Sequence, residues 1–226
     1  MATNTVTGLL TGPSGTIPLE DEIAEGTEAE VKTDATYTGG EFSIGDFAPG
    51  FKVTHAGVQA DNGISYSYVL RQGQILCHIP VSLKGVAQGS PLPLIKPIVL
   101  QAGDQLKVLT LTASARNASV SYYTNKGVAR IAIVTPSGGA TNEFVDLQTG
   151  NSLGATVQGQ AITLACCTSL DGAKIESPGG GAFVTDAVNN VVGGVPAQDP
   201  AKAQPMFGPV SIPVDLNYSL YMVTNA

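Results

Sequence analysis

The stretch from Gly150 to Gly154 reads Gly-Asn-Ser-Leu-Gly, which matches the G-x-S-x-G motif of serine hydrolases. In those enzymes the motif forms a sharp turn between a strand and a helix and exposes a nucleophilic serine. Here the residues after Ser152 have a strand-like pattern. Both histidines of the chain, His55 and His78, also precede Ser152, whereas that fold places its histidine last. We therefore predict no catalytic serine.

The same two histidines are too few for a usual zinc site, which takes three or four protein ligands. The chain contains neither a C-x-x-C nor an H-x-H pair. We expect no metal and no cofactor, and the lack of a histidine cluster also argues against a cupin-type enzyme. His78 lies in an apolar run, where a hydrogen-bonded core position is the simpler interpretation.

Three cysteines, Cys77, Cys166 and Cys167, form an odd set without the spacing of a disulfide framework. Cys166 and Cys167 are adjacent in a predicted strand, where consecutive side chains point to opposite faces, so a bond between them would be strained. We expect all three to act as small buried hydrophobic residues.

Paired carboxylates of a glycosidase need no linear motif, so a β-sandwich hydrolase or carbohydrate-binding domain stays open as an alternative. However, tryptophan is absent and aromatic residues make up 6% of the chain, which is poor material for stacking on sugars. Neither a P-loop nor a G-x-G-x-x-G motif opening a helix is present, so nucleotide binding has no support. The chain is therefore predicted not to be an enzyme.

Acidic residues concentrate in the segment from residue 20 to residue 30. We expect a short helix or, more simply, an acidic surface loop that faces solvent or a partner. Its members are Glu20, Asp21, Glu22, Glu25, Glu28 and Glu30.

Prolines recur every four or five residues near the C-terminus, so this stretch is predicted to be neither a helix interior nor a central strand. It should run extended, either across a neighbouring subunit as an assembly arm or around its own domain. The prolines concerned are Pro196, Pro200, Pro205, Pro209 and Pro213.

The elements around these residues read as short strands separated by turns rich in glycine, proline, asparagine and aspartate. The best hairpin joins residues 65–71 to residues 74–79 through Gln72-Gly73. Further predicted strands cover residues 94–101, 105–112, 119–123, 128–135, 161–167 and 218–223. No internal repeat is evident, because the recurrence of Pro-Ser-Gly at 13–15 and 136–138 reads as turn chemistry.

This pattern predicts an all-β fold, an antiparallel β-sandwich that is jelly-roll-like, with long loops rich in proline and glycine and little helix. A length of 226 residues suits one large β domain or two small ones. We treat the chain as a single domain, 1–226, with residues 1–50 as an N-terminal extension that carries the acidic loop and residues 196–213 as the proline-rich segment.

The composition indicates a surface that is partly covered by other molecules. Charged residues make up 13% of the chain, about half of the roughly 25% usual for soluble domains. Large uncharged patches often mark contacts, so we expect association with copies of the same chain. The formal net charge of −7 and the absence of a basic run argue against direct nucleic-acid binding.

Uncharged stretches are interrupted before they reach the roughly 18 apolar residues of a membrane-spanning helix. The first residues, Met-Ala-Thr-Asn-Thr-Val-Thr, lack the basic and apolar blocks of a secretion signal, which predicts a product made in the cytoplasm of its host.

In these features the chain resembles the small jelly-roll coat proteins of tailless icosahedral viruses. The β-rich C-terminus from Val210 to Thr224 and the turn from Val99 to Leu106, which is similar to hairpins in those proteins, carry part of the resemblance. It implies eight strands in two facing sheets and subunits that assemble into a closed shell. The N-terminus is neutral and then acidic, whereas coat proteins that package nucleic acid often carry a basic arm.

We therefore predict a structural protein of the virion that self-assembles, most specifically a viral capsid protein. Its partners would be copies of itself and other virion proteins, with a membrane or another protein rather than the genome beneath it. A fibre, tube or surface-layer subunit shares every one of these features and stays open as an alternative.

Overall fold

The computed structural model describes residues 2–61, 63–83, 91–110, 118–134, 142–169, 181–199 and 205–223. Strands predominate in these ranges and helices are short, as the turn-rich sequence predicted. The described chain divides into two compact units, unit 1 up to residue 110 and unit 2 from residue 118 onward. The single sandwich domain stays a prediction, and each unit is described separately.

Unit 1 contains nine strands and two short helices among its described residues. They are β1 (Thr3–Gly12), β2 (Gly15–Ala24), β3 (Glu28–Val31), α1 (Ala35–Thr38), α2 (Ile44–Phe47), β4 (Lys52–Ala60), β5 (Ile64–Arg71), β6 (Gln74–His78), β7 (Val81–Leu83), β8 (Leu92–Val99) and β9 (Gln105–Thr110).

The strands of unit 1 form two sheets around one core. The first has the order β2-β1-β4, with β7 and β8 both along the other edge of β4, and the second has the order β3-β9-β5-β6. Alternate residues of the strands point inward, so each sheet contributes one apolar face. Val6 and Leu10 of the first sheet and Val69 and Leu106 of the second are fully buried in the same cluster.

The N-terminal residues are part of this fold. β1 lies between β2 and β4, with Leu10 opposite Ile17 on one side and opposite Ala56 on the other. The apolar residues of β1 require cover on the core face, and a central position in the sheet provides it. Residues 3–31 are therefore strands of unit 1 and not an extension from it.

The predicted hairpin at Gln72-Gly73 is confirmed. β5 and β6 pair antiparallel, with Arg71 opposite Gln74, and both turn residues have positive φ, 46° for Gln72 and 77° for Gly73. Positive φ at both central residues is the geometry of the tight turn that matches the twist of two joined strands.

The prediction of a hairpin from Val99 to Leu106 is wrong. β8 pairs with β4 in the first sheet, whereas β9 pairs with β3 and β5 in the second. The turn that joins them therefore passes from one sheet to the other. Sequence signals for a turn do not tell whether the two strands that follow it pair with each other.

Unit 2 contains nine strands and one short helix among its described residues. They are β10 (Ala118–Thr124), β11 (Ala129–Val134), β12 (Asn142–Glu143), β13 (Val145–Asp146), α3 (Leu153–Val157), β14 (Gln160–Ser169), β15 (Gly181–Thr185), β16 (Val191–Gln198), β17 (Gly208–Val214) and β18 (Ser219–Val223).

The strands of unit 2 form one sheet that nearly closes on itself. Its order is β12-β18-β15-β16-β14-β10-β11-β13, with β17 also paired to β14. The two ends of this order, β12 and β13, are separated in the chain by Phe144 alone. The amide of Phe144 donates to the carbonyl oxygen of Leu220 at 2.7 Å, and its side chain is fully buried in the core of the unit.

The two units repeat the same connectivity, which corrects our expectation that the chain has no internal repeat. In unit 1 the first strand of the hairpin β1–β2 pairs with β4, and the other edge of β4 pairs with antiparallel β8 and parallel β7. In unit 2 the first strand of the hairpin β10–β11 pairs with β14, and the other edge of β14 pairs with antiparallel β17 and with the parallel end of β16. β5 lies between β6 and β9 as β15 lies between β16 and β18.

Irregular features recur at matching places as well. The pairing of β5 with β6 shifts register after Val69, and that of β15 with β16 shifts after Val184. A Ser-Ile-Gly sequence opens α2 and a Ser-Leu-Gly sequence opens α3. A Cβ atom on Gly45 would lie 2.0 Å from the carbonyl oxygen of Gln101, and one on Gly154 would lie 2.2 Å from that of Leu216. Both positions therefore require glycine.

Candidate assembly surface

The acidic segment is not a loop, because most of its residues lie in strands. Glu20, Asp21 and Glu22 belong to β2, and Glu28 and Glu30 belong to β3. Glu25 lies between these strands, where its amide donates to the carbonyl oxygen of Ala2. Side chains of β2 alternate between its two faces, which places Glu20 and Glu22 in solvent and Leu19 and Ile23 in the core, and a count of charges alone does not reveal this.

Three acids of this segment accept hydrogen bonds within unit 1. Glu28 accepts from the hydroxyl of Tyr66 at 2.8 Å. Glu30 accepts from the side chains of Ser43 and Gln105, which lie beside α2 and at the start of β9. Asp21 accepts from the backbone amide of Lys32, and partial burial raises the pKa of the Asp21 carboxyl. These acids fix β2 and β3 in place, and Glu20 and Glu22 remain available to solvent.

The proline-rich stretch is extended, as predicted, and both of its described parts pair with strands of unit 2. Pro196 belongs to β16, and Pro209 and Pro213 belong to β17, which pairs with β14. Pro205 is buried. Pro200 lies outside the described residues. A role of this stretch as an arm between subunits stays a prediction.

The expectation that this stretch avoids central strands is wrong for Pro196. β16 pairs with β15 up to Pro196 and with β14 from Ala197, so the proline lies where the strand changes its neighbour. The missing N–H of proline is tolerated at such a point. Pro80 precedes β7 at the matching place in unit 1, where its carbonyl oxygen accepts from the amide of Val58.

Ser152 starts a short helix and does not form a nucleophile elbow. Of the run predicted as strand-like, residues 155–164, the first three residues lie in α3 and residues 160–164 lie in β14, as predicted. Ser152 itself has an unstrained extended backbone with φ −64° and ψ 164°. The backbone explains why both glycines of the motif are present. Gly150 has a positive φ of 69°, and Gly154 lies so close to the turn at Leu216 that a side chain would not fit. Both histidines belong to unit 1.

The histidines and cysteines do not form a metal site within the ranges that the structure describes. His55 is exposed in β4 and His78 is buried in β6. All three cysteines are free and buried, as predicted. Burial raises the pKa of Cys77 and of Cys166 to about 12, so both thiols stay protonated near neutral pH.

A buried polar group in unit 2 was not found from the sequence. Arg130 Nη1 lies 3.6 Å from Asp146 Oδ1, beside the buried ring of Tyr122. Asp146 Oδ1 also accepts from the amides of Gln148 and Thr149, which ties down the turn after β13. The strand pairing shows that Tyr122, Arg130 and Asp146 correspond to Leu10, Ile17 and Thr33 of unit 1.

Among the described residues of unit 2, the hairpin of β15 and β16, residues 181–198, exposes three valines. Val188 at its turn is 72% exposed, and Val191 and Val192 beside the turn are 63% and 36% exposed. Turn tips usually carry polar residues or glycine, so three valines here leave apolar area in water. We call Val188, Val191 and Val192 the valine tip.

The turn of this hairpin is held by one carboxylate. Asp186 accepts hydrogen bonds from the amides of Val188 and Asn190 and from the side-chain amide of Asn190, at 2.8 to 3.1 Å. The bond from the Asn190 amide is the largest cause that lowers the pKa of Asp186. The charge of Asp186 is therefore directed into the turn, and the valine tip is presented in a fixed conformation.

No protein-family model, curated protein or solved structure matches this chain. Inferences about function therefore depend on the residues and their geometry.

Further apolar side chains are exposed on unit 1 at Phe42, Ile95 and Val99 and on unit 2 at Met206 and Leu216. None of the helices in the described ranges has the length and apolar character needed to cross a membrane.

Proposed function

We propose that the chain is a structural protein that assembles with copies of itself, and that the assembly is the capsid of a virus. The valine tip is the observation that carries the proposal. Apolar side chains that stay exposed on a formed turn favour burial by a partner, because each loses contact with water on association. Charged residues make up only 13% of the chain, so much of the remaining surface can be buried against another copy without burying charged side chains.

The charge balance supports a partner other than nucleic acid. Eleven Lys and Arg residues stand against eighteen Asp and Glu residues, and the exposed acids of β2 add a negative strip to unit 1. Clustered cations are needed to neutralise phosphates. In a virion the chain would contact its own copies and other virion proteins, with a membrane or protein layer beneath it. The jelly-roll-like character predicted from the sequence belongs to this proposal.

A subunit of a fibre, tube or surface layer would present the same features. Such assemblies arise when a head-to-tail contact repeats without closing, whereas closed symmetry gives a shell. Electron microscopy of the assembled material distinguishes these forms directly.

Association of the purified full-length chain tests the proposal. Sedimentation velocity over a hundredfold range of concentration should show growth from monomer to larger species, and negative-stain images should then show closed particles. A chain that sediments as a monomer at every concentration contradicts self-assembly. Filaments or sheets would retain self-assembly and contradict the capsid.

A further inference from the structure

We propose that two copies of the chain associate through the β15–β16 hairpin, with the valine tip of one copy packed against the valine tip of the other. This inference rests on the proposed function and names the contact through which assembly begins. It specifies a self-complementary contact, in which the same surface is buried on both copies.

In the matching hairpin of unit 1 the apolar residues at these positions are covered by the core of that unit. Where the register shifts, one residue of the second strand has no pairing partner, Leu76 in unit 1 and Val192 in unit 2. Leu76 therefore corresponds to Val192, and the preceding residues, Ile75 and Val191, correspond to each other. Ile75 is only 7% exposed and Leu76 packs against the core of unit 1. The same two positions are uncovered in unit 2.

The charge distribution favours a second copy as the occupant. Residues 181–198 contain one charged side chain, Asp186, and its carboxylate is bound by the turn. Two copies that each carry a formal charge of −7 repel each other wherever their acids meet. A hairpin with this single charge, directed into its own turn, lets two copies approach with fewer like charges in contact than the acids of β2 would bring together. A basic partner would instead be attracted to the exposed acids of β2.

The conformation of the turn lowers the cost of docking. Binding loses affinity when a loop must first be ordered, and the hydrogen bonds of Asp186 already order the residues around Val188. The contact is small, so a single one gives weak association, and repeated contacts within an assembly strengthen it.

Substitution of the valine tip tests the contact in the full-length chain. Val188→Asp and Val191→Asp, each made singly, should weaken dimer formation at least tenfold in sedimentation equilibrium, because each places two carboxylates at the centre of the contact. Gln74→Asp adds the same charge to the matching exposed hairpin of unit 1 and should leave association unchanged. Circular dichroism of each variant checks that the fold is retained.

A single cysteine tests the symmetry of the contact. The three native thiols are buried, so Val188→Cys introduces one accessible thiol. Mild oxidation should give a covalent dimer, because a self-complementary contact places the two copies of residue 188 close together. Gln74→Cys should give none. If Val188→Cys forms no covalent dimer while the protein still associates, the self-complementary contact is overturned.

The outcomes separate this inference from the proposed function. A wild-type chain that remains monomeric overturns both. A wild-type chain that assembles, together with Asp variants that assemble equally well, overturns the hairpin contact and leaves self-assembly standing. Sedimentation of monomeric protein with phosphatidylcholine vesicles, lost in Val188→Asp, would assign the valine tip to a lipid surface and overturn the contact between copies.

Discussion

Arg71 and Asp104 illustrate how this protein uses its buried charges. Arg71 donates through Nε and Nη2 to the two carboxylate oxygens of Asp104, both at 2.7 Å, and Asp104 is fully buried. Asp104 also accepts from the amide of Gln101, and Arg71 donates to the carbonyl oxygen of Val99. The pair ties the end of β5 to the turn before β9. Such two-point pairs add geometric specificity to the charge interaction, so this pair has a structural role.

Asn4 is a buried polar residue whose side chain, unlike that of Asp104, has no hydrogen-bond partner in the described part of the chain. It is fully buried in β1, and neither its Oδ1 nor its Nδ2 atom has a hydrogen-bond partner within the described part of the chain. Replacing Asn4 by leucine, which has the same branched arrangement of side-chain heavy atoms, should raise the free energy of unfolding by about 1–2 kcal/mol, because a buried amide without partners costs about that much. Urea denaturation measures the change.

The matched variant Asn4→Asp should lower stability at neutral pH, since it introduces a carboxylate with no partner into the same place. If Asn4→Leu proves less stable than the wild type, Asn4 has a stabilising partner and this interpretation fails.

At the scale of elements, the two units use one connectivity with different interiors. The matching positions of unit 1 hold Leu10, Ile17 and Thr33, where unit 2 has Tyr122, Arg130 and Asp146. Asp146 Oδ2 and Arg130 Nε are buried without hydrogen-bond partners among the described residues. A buried pair with atoms left unsatisfied contributes little net stability. The ion pair itself is therefore replaceable, whereas the hydrogen bonds from the turn after β13 to Asp146 Oδ1 are a separate contribution to stability.

Transferring the unit 1 residues to unit 2 tests this equivalence. The triple variant Tyr122→Leu, Arg130→Ile and Asp146→Thr should have a higher free energy of unfolding than the single variant Asp146→Thr, because it leaves no unpaired guanidinium and apolar packing often replaces a buried ion pair without loss. The single variant Asp146→Thr should lose about 3 kcal/mol, because Arg130 loses its ion pair and keeps only its hydrogen bond to Gln148, and the amides of Gln148 and Thr149 lose their acceptor.

Urea denaturation of both variants provides the comparison. A triple variant less stable than Asp146→Thr alone would show that the strand pairing does not make these positions interchangeable.

At the scale of the whole molecule, charge opposes the association that apolar surface favours. Every copy carries a formal charge of −7, and the exposed acids of β2 contribute to it. Repulsion between exposed charges acts over a Debye length, about 30 Å at 10 mM ionic strength and about 8 Å at 150 mM. Apolar contacts are not weakened by this screening.

Association of the full-length chain should therefore strengthen with salt. Raising the ionic strength from 10 mM to 300 mM at neutral pH should shift the monomer–oligomer equilibrium toward oligomer in sedimentation equilibrium. The Glu20→Gln and Glu22→Gln double variant should reduce this dependence, because it removes exposed negative charge from β2. Oligomers that dissociate as salt is added would show that ion pairs hold the copies together.

The sequence by itself determined the all-β class, the hairpin at Gln72-Gly73, the burial of the three cysteines and the low charge that suggests association. These are local properties, since turn chemistry, alternation along a strand and composition act within a few residues. The same local reasoning failed for the acidic segment, because acids on the solvent face of β2 have the composition of a loop. It also failed for residues 155–157, which were predicted as strand-like and lie in a short helix where the amide of Gly154 donates to the distant carbonyl oxygen of Tyr218.

Only the tertiary structure decided the division into two units, their repeated connectivity and the exposure of the valine tip. Segments 43–60 and 152–169 share Ser, Gly, Gly, Thr and Ala at matching positions, which is too little to reveal a repeat in the sequence alone. Strand pairing joins residues far apart in the chain, and many side chains satisfy the same pairing. Ile75 and Val191 are alike as residues, and only their neighbours in space decide which of them is buried.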